Sequence, residues 1–81
     1  MVKVYYDKKF KKILSKINKT YKIKIVKQIK KIIKFPEIGK PMQYERKGTR
    51  ELYVKPYRLA YSWDKDELII VFLDIYHKNN Q

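Results

Sequence analysis

Val2, Val4 and Tyr6 alternate with Lys3 and Tyr5, and this two-residue period predicts a short opening strand. Asp7 stands where an N-cap belongs, its carboxylate available to the free amides of a first helical turn. From Lys8 the apolar positions are Phe10, Ile13, Leu14 and Ile17, the spacing of one helix face, with lysines left for solvent. Asn18-Lys19-Thr20 interrupts the pattern, and Thr20 is placed to cap a second helix. Its inner stripe is Tyr21, Ile25, Ile29, Ile32 and Ile33, and its outer face is Lys24, Lys27, Lys30, Lys31 and Lys34. The first half therefore predicts a strand and an antiparallel helical hairpin.

Pro36, Gly39 and Pro41 end the helical pattern, and the period returns to two. Strands are expected over Met42–Arg46, Glu51–Lys55, Tyr57–Trp63 and Leu68–Ile75, joined by turns at Lys47-Gly48-Thr49, Lys55-Pro56 and Asp64-Lys65-Asp66-Glu67. The run from Leu68 to Leu73 is apolar at every position, which suits a central strand covered on both faces. The chain reads as a single α+β domain over residues 1–81: a strand, a helical hairpin, then a twisted antiparallel β-meander.

At 81 residues one small core is the limit, and deep pockets for large cofactors are not expected. There is no Cys and only one His, so no cofactor and no structural metal is expected. No apolar run approaches the ~18 residues of a membrane span, and the N-terminus lacks the order of a signal peptide, which predicts a cytoplasmic protein.

Charge changes the picture. Of a formal net +13, residues 1–34 hold +12, from 13 Lys against Asp7 alone. Genome composition or growth at high temperature would also enrich lysine, but neither explains why Arg46, Arg50 and Arg58 all lie in the second half. Lysine is a solvated point charge, whereas arginine presents a planar fork that fixes a phosphate in one geometry. The first half thus reads as electrostatic surface, with Lys27, Lys30 and Lys31 as candidate RNA contacts, and the second as the working site.

Alternation from Tyr57 to Trp63 puts Tyr57, Leu59, Tyr61 and Trp63 on one strand face and Arg58, Ala60 and Ser62 on the other. Arg58 then has small neighbours that leave room for a substrate, although a solvated strand arginine would read the same way. Tyr53 and Lys55 extend that surface from the adjoining strand. Arg50 and Glu51 suit cross-strand ion pairs as well as they suit ligands. Tyr76-His77-Lys78 closes the last strand with three groups able to move protons or bind phosphate. Such a set could cleave RNA without metal, because the RNA's own 2′-hydroxyl attacks the adjacent phosphate. DNA lacks that hydroxyl and would be spared.

The order of elements, with Gly39-Lys40-Pro41-Met42, Arg50-Glu51-Leu52-Tyr53-Val54, Tyr57-Arg58-Leu59-Ala60-Tyr61, the apolar run from Leu68 to Leu73 and Tyr76-His77-Lys78, resembles the RelE/ParE superfamily of type II toxin–antitoxin toxins. The resemblance spans nearly the whole chain. It implies a RelE-like ribosome-dependent endoribonuclease that cuts messenger RNA and is held inactive by an acidic antitoxin protein. By position, Arg58 matches the arginine that contacts the scissile phosphate, Lys55 lies near the basic strand residues, and Tyr76, His77 and Lys78 fall where the catalytic groups end the fold. With Arg50, these form the expected site: Arg58, His77 and Tyr76 catalytic, Lys55, Lys78 and Arg50 on the RNA. The ParE branch shares the architecture but inhibits DNA gyrase without being an enzyme. A catalytically decayed module that only binds nucleic acid or an antitoxin is the remaining alternative.

Overall fold

A computed structural model describes residues 1–43 and 48–77. Strand β1 (Lys3–Tyr6) leads directly into helix α1 (Lys8–Lys16), because the Asp7 carboxylate accepts from the Lys9 amide at 2.8 Å and caps the first turn. Asn18, rather than Thr20, caps helix α2 (Lys19–Lys34): its side-chain oxygen accepts from the Thr20 amide at 2.9 Å, and its carbonyl accepts from the Lys22 amide at 2.9 Å. Asn is as strong a cap as Thr, and it is the first of the two to follow α1, so Thr20 falls inside the turn.

The second half is strands β2 (Lys40–Pro41), β3 (Thr49–Val54), β4 (Tyr57–Asp64) and β5 (Ile69–His77). Of the strand expected over Met42–Arg46, Met42 and Gln43 are not strand but follow the two-residue β2, and the Met42 amide bonds onward to the Thr49 carbonyl. Pro41 has no amide to donate, which suits a short edge strand. Tyr44, Glu45 and Arg46 lie outside the described residues. The turn into β3 runs through Gly48 at φ +96°, a conformation that favours glycine.

All five strands form one sheet in the order β1-β5-β4-β3-β2. β2 to β5 make an antiparallel meander, and β1 returns to pair in parallel with β5, Lys3 opposite Ile69 and Tyr6 opposite Phe72. The helices cover one face, α1 against β5 and α2 against β3. Phe10, Ile17, Ile25, Ile29 and Ile32 from the helical side pack on Val54, Leu59, Tyr61, Ile70, Phe72 and Ile75. β5 is buried on this face alone. Ile69, Val71 and Leu73 are half-buried, so the unbroken apolar run marks a strand next to the sheet centre with one open face rather than two covered ones.

Tyr61 ties the loop after α2 to the sheet. Its hydroxyl donates to the Pro36 carbonyl at 2.7 Å and accepts from the Gly39 amide at 2.9 Å. Burial pushes its phenol above the ordinary 10.0, against smaller opposing contributions from the Gly39 bond and the Arg50 charge. A Cβ on Gly39 would lie 2.5 Å from the Tyr61 oxygen, so only glycine lets the loop come this close. That approach sets the position of Lys40 and Met42 beside β3.

Candidate active site

The register of the meander builds a cluster on the sheet face opposite the helices. Arg58 pairs with Tyr53 on one side and with Tyr76 on the other, and Glu51 pairs with Ala60. Glu51 is therefore the diagonal neighbour of Arg58, and the small Ala60 leaves space for its carboxylate to reach sideways. Its Oε1 takes a hydrogen bond from Arg58 Nη1 at 3.4 Å, and its Oε2 accepts from the Tyr76 hydroxyl. The Glu51 side chain is 3% exposed against 29% for Arg58, so the carboxylate lies beneath the guanidinium and the guanidinium reaches the surface. Arg58 also lies over the Tyr53 ring, 5.8 Å from its centroid.

Arg58 keeps bonding capacity in hand. Its Nε is buried with no hydrogen-bond partner among the described residues, and its contact with Glu51 is long for a charge-assisted bond. An ion pair in this setting holds the guanidinium in one orientation without saturating its donors. Beside it opens a groove of about 570 Å³, walled by Ile38, Lys40, Met42, Glu51, Tyr53 and Arg58. The exposed Lys40 adds a second cation at the rim. Fixed charge at the end of such a groove suits an anionic group, and Tyr76, which does not line the groove, joins the cluster through its bond to Glu51.

Not every expected residue is here. His77 follows Tyr76 and so leaves β5 on the other face: it pairs with Tyr57, and their rings meet edge to face at 5.8 Å, with Tyr21 of α2 against the far side of Tyr57. Arg50 shares the Tyr61 face and donates to the carbonyls of Glu37 at 3.0 Å and Gly39 at 2.8 Å, which brace the loop. Lys55 is exposed in the turn between β3 and β4, and Lys78 lies outside the described residues. Lys27, Lys30 and Lys31 are exposed on α2, on the helical side of the sheet rather than around Arg58.

Two features of α2 and β3 escaped the sequence reading. Glu51 was legible as a cross-strand ion pair or a ligand but not as the link between Arg58 and Tyr76, because alternation tells which face it takes and not that Ala60 opens a path to two partners. Ile23 is 62% exposed and lines, with Val26, Lys19, Lys22, Lys27 and Lys30, a shallow groove of about 420 Å³ along α2. No helix among the described residues is long and apolar enough to cross a membrane, and no group of three or more His, Asp or Glu among them could hold a metal ion.

Residues 4–81 match the family described as the ParE toxin of the type II toxin–antitoxin system, parDE. No curated protein sequence matches the chain significantly. The fold is similar to solved structures. The Mycobacterium tuberculosis toxin–antitoxin complex RelBE2 contains a chain of TM-score 0.83 and 24% identity, over 94% of this chain and 96% of that one. The isolated Escherichia coli RelE toxin gives 0.82 at 13% identity, over 100% of this chain and 88% of that one. The archaeal RelE–RelB complex from Pyrococcus horikoshii gives 0.79 at 17% identity, over 99% and 98%. At these identities the likeness is one of fold.

Proposed function

The chain belongs to the family of ParE toxins of type II toxin–antitoxin systems, and from that membership and the Arg58 groove we propose that it is a ribosome-dependent endoribonuclease that cleaves messenger RNA by 2′-hydroxyl attack. The observation that carries this reading is the cluster of Arg58, Glu51 and Tyr76: a half-exposed cation, oriented from below by a buried carboxylate, with a phenol beside it. Arg58 stabilises the extra charge on the phosphate as the 2′-oxygen adds, and Tyr76 exchanges the proton. Lys40 and Lys55 attract the RNA backbone, and no metal or cofactor takes part.

The antitoxin is an acidic protein. A helical half of net +12 attracts it, and the α2 groove, apolar at Ile23 and Val26 and edged by lysines, suits an acidic amphipathic segment that folds as it binds. Lys27 and Lys30 thereby serve the antitoxin more directly than the RNA.

A second reading, gyrase inhibition without catalysis, is favoured by the family match itself, which is to ParE toxins. Purified protein added to ribosomes carrying a defined message separates the two. The ribonuclease reading expects a cut message and unimpaired gyrase supercoiling. An intact message with blocked supercoiling would put gyrase inhibition in its place.

A further inference from the structure

Arg58 lies near the start of β4 and Trp63 near its end, where a second concavity opens that the cleavage chemistry does not use. About 580 Å³ in volume, it is walled by Lys34 and Phe35 at the end of α2, by Ile38 in the loop that follows, and by Trp63, Lys65 and Leu68 around the turn between β4 and β5. Phe35, Ile38 and Leu68 are exposed and stand outside the buried core, so three large apolar side chains meet at one open surface. Leu68 holds φ +58°, a left-handed conformation that a branched side chain adopts only at a cost, and its carbonyl accepts from the Lys3 amide at 2.9 Å, which fixes it there. The Trp63 indole Nε1 is buried with no hydrogen-bond partner among the described residues. Such a pocket suits an occupant that brings an apolar side chain together with an oxygen.

Helix α2 says what comes there. Ile23, Lys27, Lys30 and Lys34 follow one another at helical spacing, so the groove proposed for the antitoxin and this pocket lie along one stripe. Resting on the reading that an acidic antitoxin segment docks in the α2 groove, we infer that the same segment runs on to this pocket and buries an apolar anchor side chain between Phe35 and Leu68, its carboxylates lying over Lys27, Lys30 and Lys34. From Ile23 to Lys34 the helix spans roughly 17 Å at about 1.5 Å per residue, so a helical segment carries its anchor about eleven residues from the side chain that meets Ile23. The rim of the pocket bears both signs, Lys34 and Lys65 against Glu37. The stripe therefore selects acids and the pocket selects an apolar group.

The test titrates the antitoxin encoded by the adjacent gene into wild type, Ile23→Asp, Phe35→Glu and Leu68→Gly. Trp63 is the only tryptophan, so protein labelled with fluorotryptophan gives a single fluorine NMR resonance that reports on the pocket directly. Expected are a shift of that resonance at saturating antitoxin, and affinity lowered roughly 10- to 30-fold in Phe35→Glu and in Leu68→Gly. Leu68→Gly should also melt at or above the wild-type temperature, because glycine takes φ +58° without strain, and this separates a lost contact from a damaged fold. Affinities within about threefold of wild type in both variants, or a resonance that saturating antitoxin leaves in place, overturn the inference. If Ile23→Asp is still weakened, the α2 docking reading then stands alone; full affinity in Ile23→Asp as well removes that reading too. If Phe35→Glu fails to fold, Leu68→Gly decides. Variants that keep antitoxin affinity but lose self-association or ribosome binding would assign the pocket to a second copy or to RNA, and the inference falls.

Discussion

Tyr76 and His77 are neighbours in the chain and lie on opposite faces of the sheet: Tyr76 bonds to Glu51 beside Arg58, and His77 stacks edge-on against Tyr57 on the helical side. Two residues that read as one catalytic pair are thereby divided. Tyr76→Phe should slow message cleavage by about 100-fold, the scale of a lost proton-transfer group. His77→Gln should leave the cleavage rate within a few-fold, measured by single-turnover kinetics on ribosome-bound message. The reverse order would place the chemistry on the helical face.

Arg58→Ala should abolish toxicity. Loss of an oriented charge that acts mainly on the transition state costs about 3–4 kcal/mol, or roughly 100- to 1000-fold in rate. The same change removes the Arg58 charge beside the buried Glu51, so the melting temperature should fall as well. Arg58→Lys keeps the charge but not the planar fork. It should therefore recover most of the stability and little of the activity, read by calorimetry beside the cleavage assay.

Tyr61→Phe should cost about 1–3 kcal/mol, since it strips the Pro36 carbonyl and the buried Gly39 amide of their common partner. Because burial raises the Tyr61 phenol, the folded state holds that proton more tightly than the unfolded chain does. Its contribution is complete below the unfolded value near 10 and is lost as pH climbs through the higher folded value. Urea melts should show a steeper alkaline decline for wild type than for Tyr61→Phe. Equal slopes would mean that Tyr61 ionises as freely folded as unfolded.

Ile23→Asp should break antitoxin binding and spare cleavage. Ile23 contributes exposed apolar surface to the α2 groove and nothing to the core, so the fold should survive. Isothermal titration with the antitoxin should show affinity reduced at least 100-fold, and Lys27→Glu with Lys30→Glu should act in the same direction with a marked salt dependence. Full affinity in both variants would move the antitoxin elsewhere.

The hydrophobic periods carried the element order, the helical hairpin, and the assignment of Leu59 and Tyr61 to the core face with Arg58 on the other, because each follows from local geometry. What a period cannot give is register. Which residue of β5 lies opposite Arg58 depends on the turn after Asp64 and on the irregularity at Ala60 and Tyr61, and it is register that joins Tyr76 to the site and sends His77 away. Glu51 was visible as a charge on the right face, but its meeting with Arg58 and Tyr76 needs the gap over Ala60. The cap expected at Thr20 falls to Asn18 two residues earlier, because both side chains can accept from a free amide and composition does not say which one the chain reaches first. Ile23 broke no pattern, since one apolar residue on a lysine face reads as incidental until its neighbours are placed.

The most direct test is the chemistry of the cut ends. Wild-type protein acting on a ribosome-bound message should leave an upstream fragment ending in a 2′,3′-cyclic or 3′-phosphate, and a single 2′-deoxy nucleotide at the cut site should block the reaction, because the attacking oxygen is then missing. Arg58→Ala should leave the normal message intact. Continued cutting at the 2′-deoxy position, fragments ending in a free 3′-hydroxyl, or an intact message with wild-type protein would contradict 2′-hydroxyl attack and remove the enzyme assignment with it.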